Sequence, residues 1–160
     1  MYPLIPYKRL LIDTPLTPNQ AAEILRQAVQ ARSPWFPFWS RGTNGFEGTV
    51  LNDRFSINRA IRYRNSFLPI LHGRFSANGS GTRIDVRMIM HPIVIVFLLI
   101  WCGIVLSAFL GIVFDFLRGG QLTDRDCVPL FMLAFVYFLS FFAFGLEAQK
   151  ATSMLNDIFD

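Results

Sequence analysis

Cysteine and histidine are scarce in this 160-residue sequence, two of each, and that scarcity excludes several kinds of chemistry together. Two cysteines cannot build a disulfide framework, and no C-x-x-C pair or His/Cys cluster has the spacing of a metal site. With His72 and His91 as the only imidazoles, a hydrolase would have to assemble Ser66, His72 and Asp85, and no nucleophile elbow frames those three. A P-loop and a dinucleotide fingerprint are also missing. No cofactor and no enzymatic activity are expected on these grounds. Charge is absent over two long runs: none falls in the 22 residues from Ile93 to Phe114, and none in the 19 from Val128 to Leu146.

Those two runs organise the rest. Each is long enough to cross a hydrocarbon core of ~30 Å at ~1.5 Å rise per residue, and a short polar loop joins them. They predict a transmembrane hairpin, with spans at 93–117 and 128–146 and a loop at 118–127. The spans carry no charge in their middle thirds, whereas ion and proton pathways are marked by intramembrane ionisable residues. Cys102 lies about ten residues into the first span and Cys127 begins the second. At ~1.5 Å per residue they differ in depth by ~15 Å, too far apart to bridge.

Residues 1–92 carry twelve of the fifteen Lys/Arg and five of the eleven Asp/Glu, a net of +7, while the loop and tail are slightly acidic. Positive charge near span ends is retained in the cytoplasm, so the N-terminal domain and the tail 147–160 are expected there and the loop outside. The sequence MYPLIPYKRLLI lacks a basic segment followed by a long apolar one, so no cleavable signal is expected and the first span serves as insertion signal.

Ahead of the spans, Tyr7 to Asp13 reads as a short strand. Thr17, Pro18 and Gln20 form a helix start, with Thr17 as N-cap and Gln20 closing a capping box. Ala21, Ile24, Leu25, Ala28 and Ala31 then recur at helical spacing, predicting a helix to Ala31. Arg32 to Ser40 holds two prolines and four large aromatics, Trp35, Phe36, Phe38 and Trp39. These rings serve either as an interfacial anchor at headgroup level or as a lid on one end of the soluble core.

From Gly45 the period changes to two. Gly45 to Leu51 forms a strand, and Asn52-Asp53 is a two-residue turn. The next strand sets Phe55, Ile57, Ile61 and Tyr63 against Arg54, Ser56, Asn58, Ala60, Arg62 and Arg64. A third strand is expected over Phe67 to Ser76, with Pro69 marking an edge or bulge. After the turn Ala77 to Gly81, Thr82 to His91 alternates Ile84, Val86, Met88 and Met90 with Arg83, Asp85, Arg87 and His91. The expected order is β-α-β-β-β-β, an antiparallel meander with the helix on its apolar face. Its other face carries Arg54, Arg62, Arg64, Arg74, Arg83 and Arg87, either as a solvated surface or as a contact for anionic headgroups or a partner.

In the first span Gly103, Ser107 and Gly111 fall four residues apart, which lets another helix backbone approach, either the second span or a second copy. Beyond Leu146 the helical spacing of Ala151, Met154, Leu155 and Ile158 predicts an amphipathic tail lying on the membrane surface or on the domain.

The segment Phe46 to Pro92 contains F-E-G, R-N-S-F-L-P, G-T-R-I-D-V-R-M and H-P directly before the first span. This pattern resembles an uncharacterised family of small bacterial two-span membrane proteins. The resemblance implies the architecture and carries over no catalytic residue.

The sequence therefore reads as an α+β membrane protein: a cytoplasmic antiparallel-sheet domain over 1–92 followed by a two-helix transmembrane hairpin. The expected role is a non-enzymatic accessory or interaction module with a basic, membrane-proximal sheet. The alternative is binding of a lipid or small apolar ligand in a cavity lined by Phe46, Phe55, Phe67 and Phe75. Its implied partners are the lipid bilayer and either other membrane-protein subunits or further copies, with no nucleic acid.

Overall fold

The computed structural model describes residues 5–31, 45–61 and 65–159. Six strands form one mixed sheet in the order β1-β6-β5-β4-β3-β2, with all pairs antiparallel except β2 with β3. β1 (Tyr7–Thr14) leads into α1 (Pro18–Ala28), followed by β2 (Val29–Ala31), β3 (Gly45–Val50), β4 (Arg54–Ala60), β5 (Ile70–Asn78) and β6 (Gly81–Ile89). The fold class is α+β, with two long apolar helices after the sheet.

The local signals act as their chemistry demands. Thr17 caps α1, its hydroxyl accepting from the Gln20 amide while the Gln20 side chain accepts from the Thr17 amide. The Leu51 amide donates to the Arg54 carbonyl at 2.8 Å, closing the β3–β4 hairpin over Asn52-Asp53. Gly79, at φ 62, provides the left-handed residue between β5 and β6, whose last pair is Asn78 with Gly81.

Three expectations are corrected. The helix ends at Ala28, because Val29 takes extended geometry and Val29–Ala31 pairs in parallel with Phe46–Gly48. The meander thus gains a sixth strand and a parallel edge. β5 begins at Ile70, three residues later than Phe67. The Asn65 side chain accepts from the Phe67 amide at 3.0 Å and holds a turn, and Pro69 follows with no amide to pair. Ala77 and Asn78 belong to β5 instead of to a five-residue turn.

The two long helices are α2 (Pro92–Leu117) and α3 (Val128–Phe159), joined by a loop ending in a 3-10 turn, Asp124–Cys127. Both are long and apolar enough to cross a membrane. α2 follows β6 after Met90 and His91, and the His91 ring accepts from the Ile93 amide as its cap. Along most of α2 the side chains are exposed, including Phe97, Leu99, Ile100, Ile104 and Leu110, whereas Val94, Ile95 and Leu98 pack against the domain core.

α3 runs without a break from the second apolar run through the tail. Its C-terminal half lies with α1 on one face of the sheet, and Phe144, Ala148, Ala151, Leu155 and Phe159 join the core with Leu25, Ile57, Leu71, Ile84, Val86 and Met88. Of the two places open to the tail, the domain takes it. Each large apolar side chain fully buried there contributes roughly 1.5–3 kcal/mol.

Candidate functional site

Among the described residues, the helices cover one face of the sheet and leave the other open. Strand side chains alternate, so positions that bury Phe55, Ile57, Leu71, Phe75, Ile84 and Val86 under the helices turn their neighbours outward. The register aligns these neighbours into rows. Thr49, Ser56, His72, Arg87 and Arg9 face one another across five strands, and Arg54, Arg74, Asp85 and Leu11 form the next row. Between the rows lies an open concavity of about 460 Å³, lined by Thr49, Leu51, Arg54, Ser56, His72, Arg74, Asp85 and Arg87.

Its charges are unequal. The Arg9 guanidinium donates to both oxygens of Asp85, at 2.9 and 2.8 Å, which is a bidentate pair. Those bonds hold the Asp85 carboxyl below its usual value and raise Arg9, and nearby Arg87 also favours the ionised carboxylate. Asp85 is therefore committed to Arg9. Among the described residues Arg54 has only Asp53, at 3.9 Å with both side chains largely exposed, a weak pair. Arg74 and Arg87 make no ion pair with any described residue. Arg54 stands directly opposite Arg74, and Arg87 directly opposite both His72 and Arg9. The facing arginines, Arg54 with Arg74 and Arg87 with Arg9, set like charges opposite one another, which is destabilising.

Of the six arginines expected on this face, Arg54, Arg74, Arg83 and Arg87 are there and exposed, and the first, second and fourth line the concavity. Arg83 does not join them: it donates to Asp13 at 2.9 and 3.3 Å at the far end of β1 and β6. That pair lowers the Asp13 carboxyl, with a further bond from Asn78, and raises Arg83. Arg62 and Arg64 lie outside the described residues, as do Trp35, Phe36, Phe38 and Trp39.

The other sequence candidates separate. Phe46, Phe55 and Phe75 are buried in the helix–sheet core and Phe67 packs against it, with Phe55 and Phe75 in ring contact at 5.3 Å. Ser66 sits in the turn before β5, and the Asp85 carboxylate carries Arg9 instead of His72. Gly103, Ser107 and Gly111 lie on an exposed side of α2, with open space where a Cβ would stand on either glycine. Among the described residues no three His, Cys, Asp or Glu side chains gather as metal ligands.

One polar cluster was not anticipated. Arg59, on the inward side of β4, forms an ion pair with Glu147 of α3, and Lys150 reaches the same carboxylate at 3.5 Å. The Arg59 and Glu147 side chains are 15% and 6% exposed, so the charges are paired inside the domain. Glu147 stands one and two helical turns before Ala151 and Leu155, and that spacing is the sequence signal for its inward direction.

No family model, curated protein or solved structure matches the chain.

Proposed function

We propose that this chain is a non-enzymatic two-span membrane protein, a member of the small bacterial family its motifs resemble, with the sheet domain and the end of α3 on the cytoplasmic side. Its role is that of an accessory or interaction module, and the open face of the sheet is the contact surface. The observation that carries this reading is the asymmetry of the sheet: α1 and α3 seal one face, while the other presents Arg54, Arg74 and Arg87 around a concavity. The short connection from β6 into α2 would hold that face at a fixed height above the bilayer.

The test is a photo-crosslinking residue placed at Tyr7, which is 43% exposed on the open face, with Gln27 on the exposed side of α1 as the reference position. Irradiation in the native membrane is expected to give a discrete adduct from position 7, absent from position 27 and lost with Arg74→Glu. Adducts that are equal at both positions, or indifferent to Arg74→Glu, would sink the reading.

A further inference from the structure

The concavity on the open face has a composition that specifies more than a generic contact. Among the described residues, three arginines, Arg54, Arg74 and Arg87, line it together with His72 and Ser56, while the only lining carboxylate, Asp85, is held on both oxygens by Arg9. Neighbouring strands are ~4.8 Å apart, so donors on β4, β5 and β6 span roughly 10 Å. A single carboxylate brings two oxygens and one negative charge, too little to balance three neighbouring guanidiniums. A phosphate monoester carries three terminal oxygens and about −1.5 to −2 charge at neutral pH, enough to face several guanidiniums together and relieve the repulsion between the facing arginines. A volume of about 460 Å³ exceeds what a bare phosphate fills and lies within the ~300–1,000 Å³ of sites for small organic ligands. Leu51 supplies an apolar wall at one side.

We propose that this concavity is a binding site for an organic phosphate monoester, with Arg74 and Arg87 holding the phosphoryl oxygens and Arg54 closing the outer edge. The inference rests on the open face being the contact surface. Two sources supply the chemistry, a soluble phosphomonoester or the headgroup of phosphatidic acid. Arg87 precedes Pro92 by five residues, ~16 Å of extended chain, which lifts the site off the start of α2 and favours the soluble source.

Glycerol 3-phosphate and phosphatidic acid form a matched pair of probes, sharing the headgroup and differing in the acyl chains. The full chain is reconstituted in phosphatidylcholine nanodiscs and titrated with glycerol 3-phosphate by calorimetry. A second preparation carries phosphatidic acid in the disc and is read by broadening of its phosphorus resonance. Saturable binding of glycerol 3-phosphate, weakened at least tenfold by Arg74→Gln and by Arg87→Gln and unaltered by Arg83→Gln, is the expected result. A response confined to phosphatidic acid discs, with the same variant pattern, supports the phosphate site and assigns it to the lipid. No response to either probe, or responses that Arg74→Gln and Arg87→Gln leave at wild-type strength, would overturn the inference. Both arginines are exposed and make no ion pair with a described residue, so the variants are expected to melt no lower than the wild type. The crosslink from position 7 needs no phosphate, and its persistence beside a silent titration would remove this site alone.

Discussion

At the residue scale, most inward positions followed from alternation and the exceptions followed from partners distant in sequence. Ile84, Val86, Met88 and Met90 are spaced two apart and all are buried. Arg59 belongs to the same alternating set as Phe55 and Ile57, yet its charge hides that membership until Glu147, 88 residues later, comes to meet it. Arg9 is similar: within YKRLLID nothing shows that it reaches diagonally to Asp85, because the pairing of β1 with β6 decides that. Gly73 shows the tightest dependence on a neighbour. It stands opposite Phe55, and a Cβ on it would meet ring atoms of Phe55 at 2.0–2.6 Å. Gly73→Ala is therefore expected to displace that ring from its contact with Phe75 and lower stability by about 1–3 kcal/mol, as overpacking does. Combining it with Phe55→Leu should recover part of the loss; a chemical denaturation series on the single and double variants checks both.

At the element scale, legibility tracked how local the determinants were. The cap of α1, the β3–β4 turn and the two apolar runs are encoded in a few contiguous residues, and each lies where its sequence places it. β2 was illegible because its three residues continue a helical stripe, and only the neighbouring β3 draws them into extended pairing. The fate of the tail was open for the same reason, since an amphipathic helix states that it needs a cover without saying which. The structure makes α3 one continuous element, apolar and long enough to cross a membrane over its first part and a core helix over its last. Leu155→Ala, near its far end, should thus behave as a core mutation: a cost of about 2–5 kcal/mol is expected, with earlier loss of the sheet's circular dichroism on heating. If the tail lay on the bilayer instead, the sheet would melt at its usual temperature.

At the scale of the whole molecule, the open face contributes to stability through carboxylates, and acid should expose this. Asp85 and Asp13 both titrate below their usual values when folded, because Arg9 and Arg83 bond their ionised forms. The unfolded chain then binds more protons in acid, so the stability these pairs supply is fully present above about pH 4 and is lost as the pH falls through the lower folded-state values. Melting temperatures from pH 6 to pH 2.5 should show that decline, shallower in Asp85→Asn. A profile identical in wild type and variant would show that the Arg9 pair stabilises nothing. Both pairs are exposed, so raised ionic strength should blunt the effect.

The continuity of α3 also sets the order in which the protein can be made. Every strand of the sheet is synthesised before α3, and so is α1, but the apolar face of that sheet is covered partly by Phe144, Ala148, Ala151, Leu155 and Phe159. Until α3 has left the ribosome, the domain waits with part of its core unsheathed. Folding of the sheet is consequently completed from the far end of the second long helix. A chain whose α3 fails to dock leaves that surface bare, where proteases and chaperones can detect it.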